Sequence, residues 1–190
     1  AKAYSDAMEA KERGELVGWC SSNFPVEIPE TLGLYVVYPE NQAAGIAARG
    51  GGERMCNISE GEGYSNDICA YARVSLAYMK AKEAPEQDMP LPDFVLCCNN
   101  ICNCMTKWYE NIARMCNVPL IMIDIPYNNT VDVHDDNVKY VRAQFDKAIK
   151  QLEELTGKKF DEKKFEKACS NANRTAQAWL KVCDYLQYKP

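Results

Sequence analysis

Apolar residues in this chain follow two rhythms. Short runs rich in β-branched and aromatic residues occur at Leu16–Cys20, Leu34–Tyr38, Phe94–Cys98 and Leu120–Ile125, and each predicts a strand. The last is apolar almost throughout, as strands covered on both faces are. Between these runs the spacing becomes helical. Residues 1–14 are polar and helical in composition and end at Gly14, and Pro25 to Gly33 predicts a short helix made irregular by Pro29. The Ala-rich segment Gln42–Arg49, the segment Ile68–Met79 behind the capping cluster Ser65-Asn66-Asp67, and Met105–Cys116 predict three more helices. Two further helical patterns, about 137–156 and 161–187, are separated by Gly157, and the second carries Phe165, Ala168, Ala172, Ala176, Trp179, Val182 and Cys183 on one stripe. Gly50-Gly51-Gly52 lacks the spacing and the following Lys of a phosphate-binding loop and reads as a plain break, with residues 53–66 irregular behind it.

Strands alternating with helices predict an α/β fold: an open, mostly parallel four-stranded sheet flanked by helices, of Rossmann or flavodoxin type, followed by C-terminal helices. The expected organisation is an α/β domain over residues 1–160 and a long helix over 161–190 that links to a second domain outside this segment. The 190 residues are 47% hydrophobic and 26% charged, enough to bury a core and far from the composition of a disordered chain. A net charge of −5 without a Lys/Arg cluster argues against nucleic acid as a partner. No apolar span of membrane length or signal peptide is visible, which argues against a membrane. The ten cysteines do not suit a disulfide scaffold, because Cys97 and Cys98 are adjacent and Cys102 and Cys104 close by. The expected compartment is a reducing cytoplasm, with some thiols packing the core and others binding metal.

Ligands of open parallel sheets bind beyond the carboxyl ends of the strands. Those ends carry Ser21 and Ser22 after the first strand, Glu40 after the second, Cys102 after the third, and Tyr127 and Asn128 after the fourth. Cys69 joins this edge from a helix start, where the local dipole favours thiolate, the ligating form. Sulfur ligands beside a hydroxyl and a carboxylate suit an iron–sulfur cluster flanked by acid–base groups. Zinc is the other candidate, although no Cys-x-x-Cys pair is present and the lone His134 lies in a polar stretch. Plainer readings stand beside these. Cys97 and Cys98 alternate within a strand, so at least one packs the core, and Cys20, Cys56, Cys116, Cys169 and Cys183 read as small hydrophobes. Cys69 and Cys102 are either ligands or ordinary thiols, Glu40 an acid–base group or a solvated turn carboxylate, Ser22 a functional hydroxyl or a cap.

Four blocks carry a more specific signal: Gly18 to Glu27 (GWCSSNFPVE), Tyr38 to Ala43 (YPENQA), Gly63 to Arg73 (GYSNDICAYAR) and Phe94 to Cys102 (FVLCCNNIC). In this order they resemble the α subunits of the 2-hydroxyacyl-CoA dehydratases, a family related to benzoyl-CoA reductase subunits. The resemblance implies a hydro-lyase subunit that eliminates water from an (R)-2-hydroxyacyl-CoA to give the (E)-2-enoyl-CoA. It implies a 4Fe-4S iron–sulfur cluster held by three cysteines, with one iron open to the substrate carbonyl. One electron from an ATP-dependent iron–sulfur activator protein converts the substrate to a ketyl radical and is later recycled. A homologous β subunit completes a heterodimer. By position, Cys69 and Cys102 become cluster ligands, with the third expected outside this segment, and Ser22 and Glu40 become the polar groups that face the open iron and the acyl-CoA. The alternatives are a benzoyl-CoA-reductase-like subunit and a non-catalytic electron-transfer iron–sulfur domain.

Overall fold

The structure, a computed structural model, describes residues 2–188. The chain runs α1 (Lys2–Glu12), β1 (Val17–Cys20), α2 (Glu27–Thr31), β2 (Tyr35–Val37), α3 (Pro39–Ala48), α4 (Gly52–Gly61), α5 (Ala70–Ala81), β3 (Phe94–Cys98), α6 (Asn103–Cys116), β4 (Leu120–Ile123), α7 (Asp135–Thr156) and α8 (Glu162–Asp184), closed by a 3-10 turn at Tyr185–Gln187. The four strands form one parallel sheet in the order β2-β1-β3-β4. This is the expected α/β architecture, and the order is that of flavodoxin-like sheets. The chain leaves β1 toward β2 on one side and returns to β3 on the other. The crevice beyond β1 and β3 is therefore the point where the winding reverses.

Both sheet faces are covered. Val17, Trp19, Val37, Val95 and Cys97 point to one side, where they pack with residues of α1, α3, α4, α5 and α6. Cys20, Phe94, Leu96, Cys98, Ile121 and Ile123 point to the other, against α2, α7 and the first turns of α8. Alternation within strands buried on both faces explains why their sequences read as continuous apolar runs. Trp19 is fully buried, and its indole N–H donates to the Pro90 carbonyl at 2.8 Å, so its polar atom is satisfied inside the core. Gly18 is required by its cross-strand partner: a Cβ there would stand 2.3 Å from the Phe94 ring.

The structure differs from the sequence reading in three places. Residues 52–61 form helix α4, not irregular chain. Its Met55 is fully buried and Ser59 nearly so, and contact with α5 orders a segment of weak helical propensity. Helix α3 begins at Pro39, where a proline's fixed φ suits the first helical turn, so Glu40 lies inside that turn and not in a loop. In α8 only Ala168 is buried, while Trp179 and Val182 on the same stripe are 65% and 51% exposed. Among the described residues no helix is long and apolar enough to cross a membrane.

Candidate functional site

Three strands deliver polar residues to the same edge of the sheet. After β1 the chain turns sharply at Ser21-Ser22-Asn23. The buried Ser21 hydroxyl donates to Asn23 Oδ1 at 2.6 Å and accepts from the Cys98 N–H at 3.3 Å, which ties the ends of β1 and β3 together. Asn23 Nδ2 donates to the Cys98 carbonyl at 3.2 Å and to Asn100 Oδ1 at 2.6 Å. This web closes the mouth of the β1–β3 crevice. It leaves Ser22 exposed, with the Ser22 side chain free of any hydrogen bond among the described residues.

Ser22 and Glu40 do meet, but through the backbone: the Ser22 N–H donates to Glu40 Oε1 at 2.9 Å. Glu40 is only 9% exposed. Its other oxygen, Oε2, accepts from the Tyr109 hydroxyl at 2.6 Å. Its position in the first turn of α3 places the carboxylate at the positive end of that helix. Two charge-assisted hydrogen bonds and a helix dipole thus stand in for the lost water around a buried carboxylate. Tyr109, on α6, is fully buried, and its phenol is pushed well above the usual tyrosine range by burial and by the adjacent Glu40. Tyr109 sits in the core, and the only sequence signal for its polar role is that it is a tyrosine rather than a phenylalanine.

The cysteines separate by environment. Cys97 and Cys98 are both buried in β3, and burial drives both thiols up to about 12, which keeps them protonated. Cys20 is driven well up for the same reason. Cys69 and Cys102 are exposed and each occupies the residue before a helix, Cys69 before α5 and Cys102 before α6. Neither side chain caps its own helix, so each sulfur is available to a ligand beside free backbone N–H groups. Helices α5 and α6 pack on one another. A groove of about 500 Å³ runs between their first turns, with Cys69, Cys104 and Trp108 in its walls.

An iron–sulfur cluster takes three or four thiolates. Cys69 and Cys102 suit such a group: they are accessible, sit at helix N-termini that favour an anionic cluster, and lack competing partners. Among the described residues no group of three or more His, Cys, Asp or Glu side chains converges as a metal site. The two cysteines therefore amount to part of a ligand set. Tyr127, assigned to this edge by the sequence, is 92% exposed, and Asn128 turns back on its own loop to the Thr130 carbonyl at 2.9 Å.

Residues 21–190 match the family model described as 2-hydroxyglutaryl-CoA dehydratase, D-component. The chain is 60% identical over 184 residues to the (R)-phenyllactyl-CoA dehydratase alpha subunit of Clostridium sporogenes, an alignment covering 97% of this chain and 45% of that protein. It is 50% identical to the (R)-2-hydroxyglutaryl-CoA dehydratase subunit alpha of Acidaminococcus fermentans, covering 100% and 55%. Identity is also 50% with the (R)-2-hydroxyisocaproyl-CoA dehydratase alpha subunit of Clostridioides difficile, covering 94% and 44%. The chain spans about half the length of these relatives.

Proposed function

The chain belongs to the 2-hydroxyglutaryl-CoA dehydratase D-component family, and from that membership we propose that it is the cluster-binding part of an α subunit that eliminates water from an (R)-2-hydroxyacyl-CoA. The product is the (E)-2-enoyl-CoA, formed through a ketyl radical after one-electron activation. The observation that carries this reading is that two exposed thiols, Cys69 and Cys102, each stand at the residue before a helix, while Glu40 is a buried carboxylate held by Ser22 and Tyr109.

Cys69 and Cys102 would hold a 4Fe-4S cluster together with a third cysteine from the remaining half of the subunit, consistent with relatives about twice as long. A cluster held there would supply Lewis-acid and one-electron chemistry. The chain's own residues handle protons. Removing hydroxide from carbon 2 needs a proton donor or a Lewis acid, and removing the proton from carbon 3 needs a base. Glu40 suits proton work because its carboxyl is held by directional bonds at both oxygens and is largely shielded from water. Ser22, exposed at the tip of the β1 turn, offers a hydroxyl to a substrate oxygen. The Ser21–Asn23–Asn100 web fixes the backbone of that turn and with it the Ser22 N–H that holds Glu40.

The expected partners are a homologous β subunit and an ATP-dependent iron–sulfur activator, and ten cysteines without a disulfide fit a reducing cytoplasm. Product analysis tests the reading. The full-length subunit is assembled anaerobically with its partner and activator and supplied with a series of (R)-2-hydroxyacyl-CoA thioesters. Net loss of water with no reductant consumed per turnover is expected. Stoichiometric consumption of reductant, with a reduced ring or double bond as product, would replace this reading by a reductase.

A further inference from the structure

Tyr109 faces a choice that its chemistry makes informative. A phenol has one proton to donate, and two acceptors lie within reach of this one: Glu40 Oε2 at 2.6 Å and the carbonyl oxygen of Cys20 at 3.2 Å. A purely structural tyrosine needs one acceptor. When Glu40 is ionised, the shorter, charge-assisted bond takes the proton. When Glu40 takes up a proton at Oε2, the acid donates to the phenol oxygen, and the phenol turns to the Cys20 carbonyl. The Cys20 carbonyl holds the phenol proton only while Glu40 is protonated, and in neither state need the carboxyl rotate away from the Ser22 N–H.

The groups facing Glu40 leave this task to Tyr109. Those that sense its charge include Tyr4 from α1, Cys20 from β1, Tyr38 at the start of α3, Cys97 from β3 and Tyr109 itself from α6, five phenols or thiols. Burial raises every one of them, Tyr4 and Tyr38 to about 12, so all are neutral at neutral pH. Of the five, only Tyr109 donates a side-chain hydrogen bond to the carboxylate, whereas Tyr4 gives its proton to the Tyr38 carbonyl at 3.0 Å.

We propose that Tyr109 is the positioning residue of the acid–base carboxyl: its hydroxyl, within reach of both Glu40 Oε2 and the Cys20 carbonyl, holds Glu40 in one orientation in both protonation states. The proposal rests on the reading of Glu40 as an acid–base group. Tyr109 does not touch substrate, since it is fully buried behind Glu40.

The test uses the full-length subunit with its partner and activator and compares Tyr109→Phe, 3-fluorotyrosine at position 109, and Glu40→Gln. Tyr109→Phe removes the donor to Glu40 Oε2. Losing a hydrogen bond to the charged form moves the acidic limb of the kcat profile up, so kcat falls on that limb by up to about tenfold per pH unit moved, while KM and iron content stay unchanged. Fluorination acidifies the phenol and strengthens its donation, so it moves the same limb down. These opposite shifts separate positioning from packing, because a packing role predicts no shift in either variant. Should Tyr109→Phe fail to fold, the fluorotyrosine arm decides alone. Glu40→Gln separates the two claims. If it turns over at the wild-type rate, the Glu40 reading falls and takes this proposal with it. If it is inactive while both Tyr109 variants keep the wild-type profile, Glu40 stands and the role given to Tyr109 is overturned.

Discussion

Glu40→Gln is the substitution for which the structure predicts the widest gap between stability and rate. The amide is isosteric with the carboxyl. Its oxygen can keep the Ser22 N–H at the position of Oε1, and its NH2 can donate to the Tyr109 oxygen, while Tyr109 donates to the Cys20 carbonyl 3.2 Å away. One of the two amide N–H groups is left without a partner, a cost set against the disappearance of the buried charge. Stability should therefore change by less than about 1 kcal/mol, roughly 2–4 °C in Tm for a chain of this size. Turnover should respond on another scale. A positioned acid–base group contributes roughly 10²- to 10⁴-fold, or about 3–5 kcal/mol of barrier, and an amide neither gives nor takes a proton. The assay is thermal unfolding, anaerobic iron content and kcat at saturating thioester on the same preparation. A kcat within about threefold of wild type, with iron and Tm intact, would refute the acid–base role, because that is far below what general acid–base catalysis supplies. A parallel collapse of Tm and kcat would refute the hydrogen-bond accounting.

Two further outcomes follow from the fold. Gly18→Ala places a methyl 2.3 Å from the Phe94 ring in the middle of the sheet, and overpacking of this kind costs about 1–3 kcal/mol, read as a Tm drop of roughly 3–10 °C; an unchanged Tm would show that Phe94 has room to move. Stability should fall as pH rises from 9 to 12, in part because the unfolded chain releases the Cys97 and Cys98 protons from the ordinary value of 9.0 while the folded chain holds them to about 12. Denaturant midpoints across that window check the slope, and replacing both thiols with Ala should make it shallower, the remainder coming from Cys20 and the buried tyrosines, which are raised too.

The elements whose periodicity is strong and local were legible in the sequence. The four strands announce themselves because both faces of each are buried, and α6 ends as expected at Cys116, with Asn117 in the left-handed conformation that caps a helix. Helix α4 was not legible, since a segment that starts with glycines and carries polar residues throughout owes its order to α5 packing against Met55. The site divides in the same way. Cys69 and Cys102 were singled out by residue type, by their places at a helix start and a strand end, and by the family blocks that contain them; that both are exposed immediately before a helix is visible only in the structure. That Glu40 belongs to the first turn of α3 depends on Pro39 opening the helix instead of closing the strand, two roles that proline fills equally well. The link from Tyr109 to Glu40 spans 69 positions and exists only once the sheet has brought α3 and α6 together.

The central claim is that Cys69 and Cys102, and not the other cysteines of this chain, hold an iron–sulfur cluster. Its most direct test is anaerobic iron and acid-labile sulfide content in the full-length subunit for Cys69→Ala, Cys102→Ala and Cys97→Ala. Cys69 and Cys102 are exposed and cap nothing, so their loss should spare the fold while iron and sulfide disappear together. Cys97→Ala removes one buried sulfur at a cost of about 1 kcal/mol and should keep most of the iron. Full iron in Cys102→Ala, or loss of iron in Cys97→Ala with the fold intact, would contradict the assignment.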